Sequence, residues 1–169
     1  MAIDYGYFHF AAPRLCGSVW FVQAAEAVGL GRADPRKAGE LFDGEAGGLR
    51  VSLVRHPCDF LATAFFKITP IVGRVPSFDG FVRGYLWAQP GSVGRLYDQY
   101  IADTVLRFED LPGAFEELAV TVGIDRRLAA LCKMIPLPFQ DLTLPRWNQA
   151  LRARVMRAEA DIILRYDYY

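Results

Sequence analysis

Residues 13–18 combine several groups that bind anions. They read Pro-Arg-Leu-Cys-Gly-Ser. Arg14 supplies a permanent positive charge, Gly17 allows the backbone to approach a ligand closely, and Ser18 offers a hydroxyl to a phosphate oxygen. The stretch departs from the GxxxxGK[ST] pattern, which disfavours an ordinary ATP or GTP phosphate loop. On these residues alone, an anion-binding loop and a simple structural turn are equally supported.

A second segment, residues 55–63, reads Arg-His-Pro-Cys-Asp-Phe-Leu-Ala-Thr. It places Arg55 at the expected end of a strand and the Thr63 hydroxyl about two turns into the next helix, so both side chains could reach one phosphate. The alternative is structural. Arg55 would then pair with a carboxylate such as Asp59, and Thr63 would bond to its own helix backbone. Without other evidence, the structural alternative is preferred.

A third segment, residues 106–111, reads Leu-Arg-Phe-Glu-Asp-Leu. It is a predicted strand end that carries acidic residues and leads into a helix. A helix cap with an ion pair is the favoured interpretation of these acids, ahead of catalysis.

The elements that must position these segments follow from hydrophobic runs and from Pro and Gly breaks. Strands are predicted at residues 5–12, 49–54 and 103–108, and helices at 18–28, 35–42, 57–67, 78–88, 92–101, 112–122, 126–134 and 146–165. Alternation of strands and helices favours a parallel sheet covered on both faces. The first segment then lies between a strand and a helix N-terminus, where backbone N–H groups and the helix dipole favour an anion.

Composition limits the class of protein. The chain has 169 residues, 53% of them hydrophobic and 14% aromatic, which predicts one globular domain with a continuous core. Nineteen basic and nineteen acidic side chains balance, so no long-range field would recruit nucleic acid or an acidic membrane surface. Three cysteines without a CxxC pattern argue against a zinc site or a disulfide framework. With no secretion signal and no uncharged run near about 18 residues, a soluble cytoplasmic protein is predicted.

In order and spacing, the three segments resemble the PAPS-dependent sulfotransferase family over nearly the whole chain. The first is similar to the family's Pro-Lys/Arg-x-Gly-Thr-Thr-Trp loop, the second to its Arg-x-Pro-x-Asp-x-x-x-Ser-x-Tyr/Phe segment, and the third to its Tyr-Glu-Asp-Leu segment. The resemblance implies a single α/β domain over residues 1–169, three-layered and P-loop-like, with a central parallel sheet flanked by helices. It also implies transfer of a sulfuryl group from 3′-phosphoadenosine 5′-phosphosulfate (PAPS) to a hydroxyl or amine, without a metal.

The resemblance assigns roles to individual residues. The first segment would hold the 5′-phosphosulfate, with Arg14 also stabilising charge in catalysis, and Arg55 and Thr63 would hold the 3′-phosphate. Trp147 and the helix after it resemble the family's closing segment, which brings Arg146 towards the cofactor. The residues assigned to the cofactor are Arg14, Cys16, Gly17, Ser18, Trp20, Arg55, Thr63 and Arg146.

The first segment departs from the family pattern. It is one residue longer, because Leu15 and Cys16 stand where the family has a single small residue, and Val19 replaces a hydroxyl. Aligned on Gly17, Trp20 takes the position of an aromatic residue that stacks on adenine. Aligned on Pro13, that position passes to Val19.

Sulfuryl transfer requires a base to remove the acceptor's proton. The family places a His or Glu between its first two segments, where this chain has no histidine. Glu40, Asp43 and Glu45 are the candidate bases, Glu40 first. His9 is interpreted as a core residue and His56 as support for a turn.

The acceptor is expected over residues 31–48 and 77–100. An apolar pocket is predicted there from Phe78, Phe81, Tyr85 and Trp87. The predicted partners are a small-molecule or glycan acceptor, with neither nucleic acid nor a membrane, and a homodimer stays open. Two other functions also stay open: a nucleotide kinase-like phosphotransferase, which the missing Gly-Lys-Ser/Thr disfavours, and a non-catalytic binding or assembly module, which the altered loop favours.

Overall fold

A computed structural model describes residues 2–30, 48–72, 77–138 and 145–168. These ranges contain four β-strands and eight α-helices. The strands are β1 (Ala2–Asp4), β2 (Phe8–Ala11), β3 (Leu49–Val54) and β4 (Thr104–Arg107). The helices are α1 (Ser18–Ala27), α2 (Pro57–Val72), α3 (Phe78–Ala88), α4 (Ser92–Tyr97), α5 (Gly113–Thr121), α6 (Arg126–Ala129), α7 (Gln149–Ala158) and α8 (Ala160–Arg165). Short 3-10 turns cover Asp98–Tyr100, Phe108–Asp110 and Ala130–Met134.

The strands form one open, mostly parallel sheet with the order β1-β2-β3-β4. Strands β2, β3 and β4 run parallel, with Phe10 opposite Val51 and Val51 opposite Thr104. Their carboxyl ends therefore share one edge of the sheet, as the alternation of strands and helices predicts. The mixed α/β class predicted from the sequence is confirmed.

The sequence predicts one strand at residues 5–12 and does not predict the antiparallel edge strand β1. In the structure, residues 5–7 belong to neither strand. The chain instead reverses there. Asp4 Oδ1 accepts a hydrogen bond from Gly6 N–H at 2.7 Å, and Gly6 has a φ of 76°. Tyr5 N–H also donates to Phe8 O at 3.0 Å. A turn stabilised by an Asp side chain and a left-handed glycine therefore separates two short strands.

The chain forms two compact units, each made from two separate stretches. The first comprises Met1–Val54 and Tyr100–Gln140 and holds the sheet with α1, α5 and α6. The second comprises Arg55–Gln99 and Asp141–Tyr169 and holds α2, α3, α4, α7 and α8. The single domain expected from chain length stays a prediction.

Aromatic side chains fix α1 on the sheet of the first unit. The Phe21 ring on α1 stacks on Phe10 of β2, with centroids 3.7 Å apart and planes at 1°. Phe115 of α5 meets Phe21 edge-on at 5.0 Å. All three side chains are fully buried, so the start of α1 is held at a defined place after β2.

Several predicted boundaries are confirmed and others need correction. Strand β3 and helix α3 have their predicted limits, whereas α2 continues beyond residue 67 to Val72. The final helix does not begin at Arg146. It begins at Gln149, capped by the Asn148 side chain, and is interrupted at Glu159. The helix predicted at 35–42 lies outside the described residues. Among the helices described, none is both long and apolar enough to cross a membrane.

Candidate functional site

The loop of residues 13–18 joins the carboxyl end of β2 to the N-terminus of α1. Gly17 is the N-cap residue, and Phe21 N–H donates to its carbonyl at 3.0 Å, which closes the first helical turn. A glycine N-cap has no side chain to accept from the first-turn amides, and the first turn has no acidic residue. Within its own first turn, α1 therefore has no group that neutralises the positive end of the helix dipole. An anion is therefore favoured at this position.

The backbone of the loop has an unusual conformation. Leu15 and Gly17 have φ angles of 71° and 87°, while the residues between and beside them are not left-handed. Turns in which left-handed residues alternate with residues of negative φ can direct backbone N–H groups towards one side, an arrangement that favours anions. A left-handed leucine costs about 1–3 kcal/mol, and such strain is typical of functional sites.

Phe108 lies directly against Gly17. A β-carbon at residue 17 would come within 2.7 Å of Phe108 Cδ2, so glycine is required there by space as well as by φ. Phe108 opens the 3-10 turn after β4, where Arg107 Nε donates to Asp110 Oδ2 at 2.6 Å. The ion pair expected in residues 106–111 is therefore present, whereas the expected side-chain cap on α5 is not formed, since its N-cap residue is Pro112.

The side chains of the loop differ in what they can offer a ligand. Arg14 is exposed and forms no ion pair with any residue in the described ranges, so its charge is available to an anion. Ser18 is half-buried at the start of α1. The Cys16 side chain is fully buried, which leaves only its backbone as a possible contact.

Trp20 packs in the core of the first unit. It is 1% exposed, meets the Phe115 ring edge-on at 5.7 Å, and donates from Nε1 to the carbonyl of Ile135 at 3.0 Å. The ring therefore presents no open face for adenine. Its assignment to the cofactor is corrected on this ground, and Trp20 is omitted from the proposed site.

Arg55 and Thr63 belong to the second unit, and both are buried. The Arg55 backbone is held by one side chain, since its N–H donates to the Tyr97 hydroxyl at 3.2 Å and that hydroxyl donates to Arg55 O at 2.8 Å. Thr63 Oγ1 has no hydrogen-bond partner among the described residues. The expected bond from Thr63 to its own helix backbone is therefore not formed, and a buried hydroxyl is left for another acceptor or donor.

The two histidines have structural environments. His56 Nδ1 accepts from Cys58 N–H at 3.1 Å, and burial lowers the pKa of the ring. It is therefore neutral near pH 7 and supports the start of α2, as expected. His9 is 8% exposed on β2, with Nδ1 3.5 Å from the Asp4 carboxylate.

The remaining site predictions have mixed outcomes. Glu40, Asp43 and Glu45 lie outside the described residues. Arg146 is exposed and belongs to the second unit, just before α7.

Two of the four side chains predicted to form an apolar pocket do line a cavity, and its role as an acceptor site stays a prediction. Phe81 and Tyr85 line a cavity in the second unit. Phe78 instead packs against Trp147 at 4.8 Å, and Trp87 is 88% exposed, so neither contributes to that cavity.

Comparison of the chain with protein-family models, with curated proteins and with solved structures gives no match. A functional proposal for this chain therefore rests on its residues and their geometry.

Proposed function

We propose that residues 13–18 bind the phosphate groups of a nucleotide and that the protein is a sulfotransferase with PAPS as donor. The observation that carries the proposal is the loop itself: left-handed Leu15 and Gly17, an uncapped helix N-terminus and an exposed Arg14 after a parallel strand. A three-layer, P-loop-like arrangement of the whole chain is part of the same proposal.

The first unit supplies the anion-binding groups. The loop amides, the Ser18 hydroxyl and the Arg14 guanidinium hold the 5′-phosphosulfate and stabilise the negative charge that develops on the leaving bisphosphate. Fixed backbone donors suit this role because they need no reorganisation during the reaction. When bound, the donor supplies a sulfuryl group, whose S–O bond to phosphate breaks as a new bond forms from the acceptor oxygen or nitrogen to sulfur.

Recognition of the 3′-phosphate is assigned to Arg55 and Thr63 in this proposal. Thr63 Oγ1 is a buried hydroxyl without a partner in the described ranges, but it is 0% exposed, so the assignment requires the surrounding side chains to open and admit a phosphate oxygen. The acceptor's proton passes to a carboxylate, for which Glu40, Asp43 and Glu45 stay the candidates. A cytoplasmic location and a homodimer also stay predictions.

A non-catalytic binding module is the second candidate function. The core position of Trp20 favours it, because the adenine contact expected of a sulfotransferase is then missing. In such a module the loop would bind an anion without transferring a group.

Calorimetric titration of the full chain with 3′,5′-bisphosphoadenosine and with ADP separates these functions. Tighter binding of the bisphosphate supports the sulfotransferase. Tighter binding of ADP supports a kinase-like phosphotransferase, and absence of binding to either supports a module without nucleotide. Arg14→Ala is expected to weaken bisphosphate binding about tenfold or more, since it removes a charge-assisted contact to phosphate.

A further inference from the structure

The second unit contains a cavity of about 500 Å³ that the nucleotide proposal does not use. Its walls come from α2, α3 and α4, with Phe60 on the first, Phe81 on the second and Leu96 on the third. None of the twelve described residues that line it carries a charge, and only Tyr85, Gln89 and Ser92 have polar side chains. The volume and the apolar lining are typical of small-molecule sites.

Small residues on α3 give the cavity its room. Gly80 and Gly84 both line it and are four residues apart, so they lie on the same face of the helix. A β-carbon added at Gly84 would meet no atom within 4 Å. Glycine stabilises a helix less than alanine does. The two glycines therefore lower the stability of α3 and leave space beside it unfilled.

A buried carboxylate fixes two of the walls. Glu159 is 2% exposed and accepts hydrogen bonds from the Tyr85 hydroxyl on α3 and from the N–H groups of Val93 and Gly94 on α4, the last at 2.8 Å. Both helices are thereby tied to the same side chain, and the Tyr85 ring has a fixed position. The cavity is therefore preformed, which lowers the entropy cost of binding a ligand.

We propose that this cavity binds a small uncharged molecule with an apolar body of up to three rings. A charged ligand would lose its hydration without gaining an ionic partner from the lining. For the same reason, the phosphate groups of a nucleotide bisphosphate are excluded from it. The inference needs neither the proposed donor nor catalysis.

Fluorescence titration with N-phenyl-1-naphthylamine, a neutral two-part aromatic probe, tests the inference on the full chain. The wild type is expected to bind one molecule per chain. Gly84→Leu is expected to weaken binding about tenfold or more, because the new side chain fills ligand space. Gly113→Leu is the matched control: residue 113 opens α5 in the first unit, and a β-carbon there also meets no atom within 4 Å. It is expected to bind like the wild type.

A second variant tests the inference even if Gly84→Leu fails to fold. Gly84→Ala adds one carbon, favours the helix, and is expected to weaken binding by about twofold. The inference is overturned if the wild type shows no saturable binding, or if Gly84→Leu and Gly84→Ala both bind the probe as the wild type does. It is also overturned if Gly84→Leu dissociates a dimer, since a second copy would then cover the cavity. Bisphosphate titration of the same samples reports separately on the proposed function.

Discussion

The ring of Phe108 occupies the space that any side chain at residue 17 would need, with Cδ2 2.7 Å and Cε2 2.8 Å from the position of a β-carbon. Phe108 follows β4, and Gly17 lies in the loop of residues 13–18 that follows β2. The contact therefore ties this loop to the chain that leaves β4, the last strand of the parallel part of the sheet. The loop thus gains its shape from a tertiary contact and not from its own sequence alone.

Gly17→Ala is expected to lower the free energy of unfolding by about 3 kcal/mol, from the left-handed φ together with the collision with Phe108. Gly6→Ala is the matched control, because Gly6 has a similar φ of 76° but open space around its β-carbon position. That variant is expected to lose only about 1 kcal/mol. Urea unfolding measures both, and equal losses would show that Phe108 does not restrict residue 17.

The secondary structure was predictable where local chemistry alone sets the limits. Strand β3 is an apolar run that ends before Arg55-His56-Pro57, and α3 lies between a Ser77 cap and a Pro90 break. The break at Glu159 was not predictable, because the helical pattern continues through it. Glu159 has a non-helical φ of −110°, and its carboxylate accepts from amides of α4, a distant partner that no local pattern encodes.

The candidate site was predictable in composition but not in conformation. Arg14, Gly17 and Ser18 could be singled out because charge, close backbone approach and a hydroxyl are properties of residue type. Leu15 could not, since leucine adopts a positive φ only when its surroundings impose it. The only sign of an unusual backbone at this point of the sequence was the extra residue, Leu15 or Cys16, in the loop. For Trp20 the residue type was misleading, because an aromatic residue at that position suits a core as well as a ligand.

Arg55→Ala is expected to abolish any preference for 3′,5′-bisphosphoadenosine over ADP, because Arg55 is the charge assigned to the 3′-phosphate. Arg50→Ala, which removes an arginine already engaged with Asp103, is the control and should leave the preference intact. Competition titrations of the two nucleotides measure the ratio of affinities. A preference that persists in Arg55→Ala would contradict the assignment of Arg55 to the 3′-phosphate.

Asp103, which precedes β4, stabilises the pairing of β3 with β4 through Arg50, and this stabilisation depends on pH. Its carboxylate accepts from Arg50 Nη2 at 2.8 Å and from Arg50 backbone N–H at 2.9 Å, and these bonds lower its pKa from 3.8 to about 2. Since the folded pKa is the lower one, the stabilisation is complete above pH 3.8 and is lost as pH falls through about 2.

Asp103→Asn is therefore expected to flatten the fall in unfolding free energy between these two pH values. Urea unfolding across the acid range tests this, with Asp125→Asn at the α6 cap as a control in the same unit. An Asp103 carboxyl that titrates at its ordinary value, as followed by NMR, would contradict the prediction.

Glu159 should give the opposite pH dependence. Burial raises the pKa of its carboxyl above the ordinary 4.5, against the opposing hydrogen bonds from the α4 amides. With the folded pKa the higher one, the stabilisation is present below 4.5 and is lost as pH rises through the folded value. Glu159→Gln is expected to remove this loss, and Glu117→Gln, at an exposed position on α5, should keep it. Glu159→Ala should instead cost about 3 kcal/mol below pH 4.5, because the Tyr85 hydroxyl and two amides lose their acceptor, and the cost should shrink as pH rises through the folded pKa. If Glu159→Gln and the wild type kept parallel stability profiles from pH 4 to about 8, the carboxyl would have an ordinary pKa despite its burial.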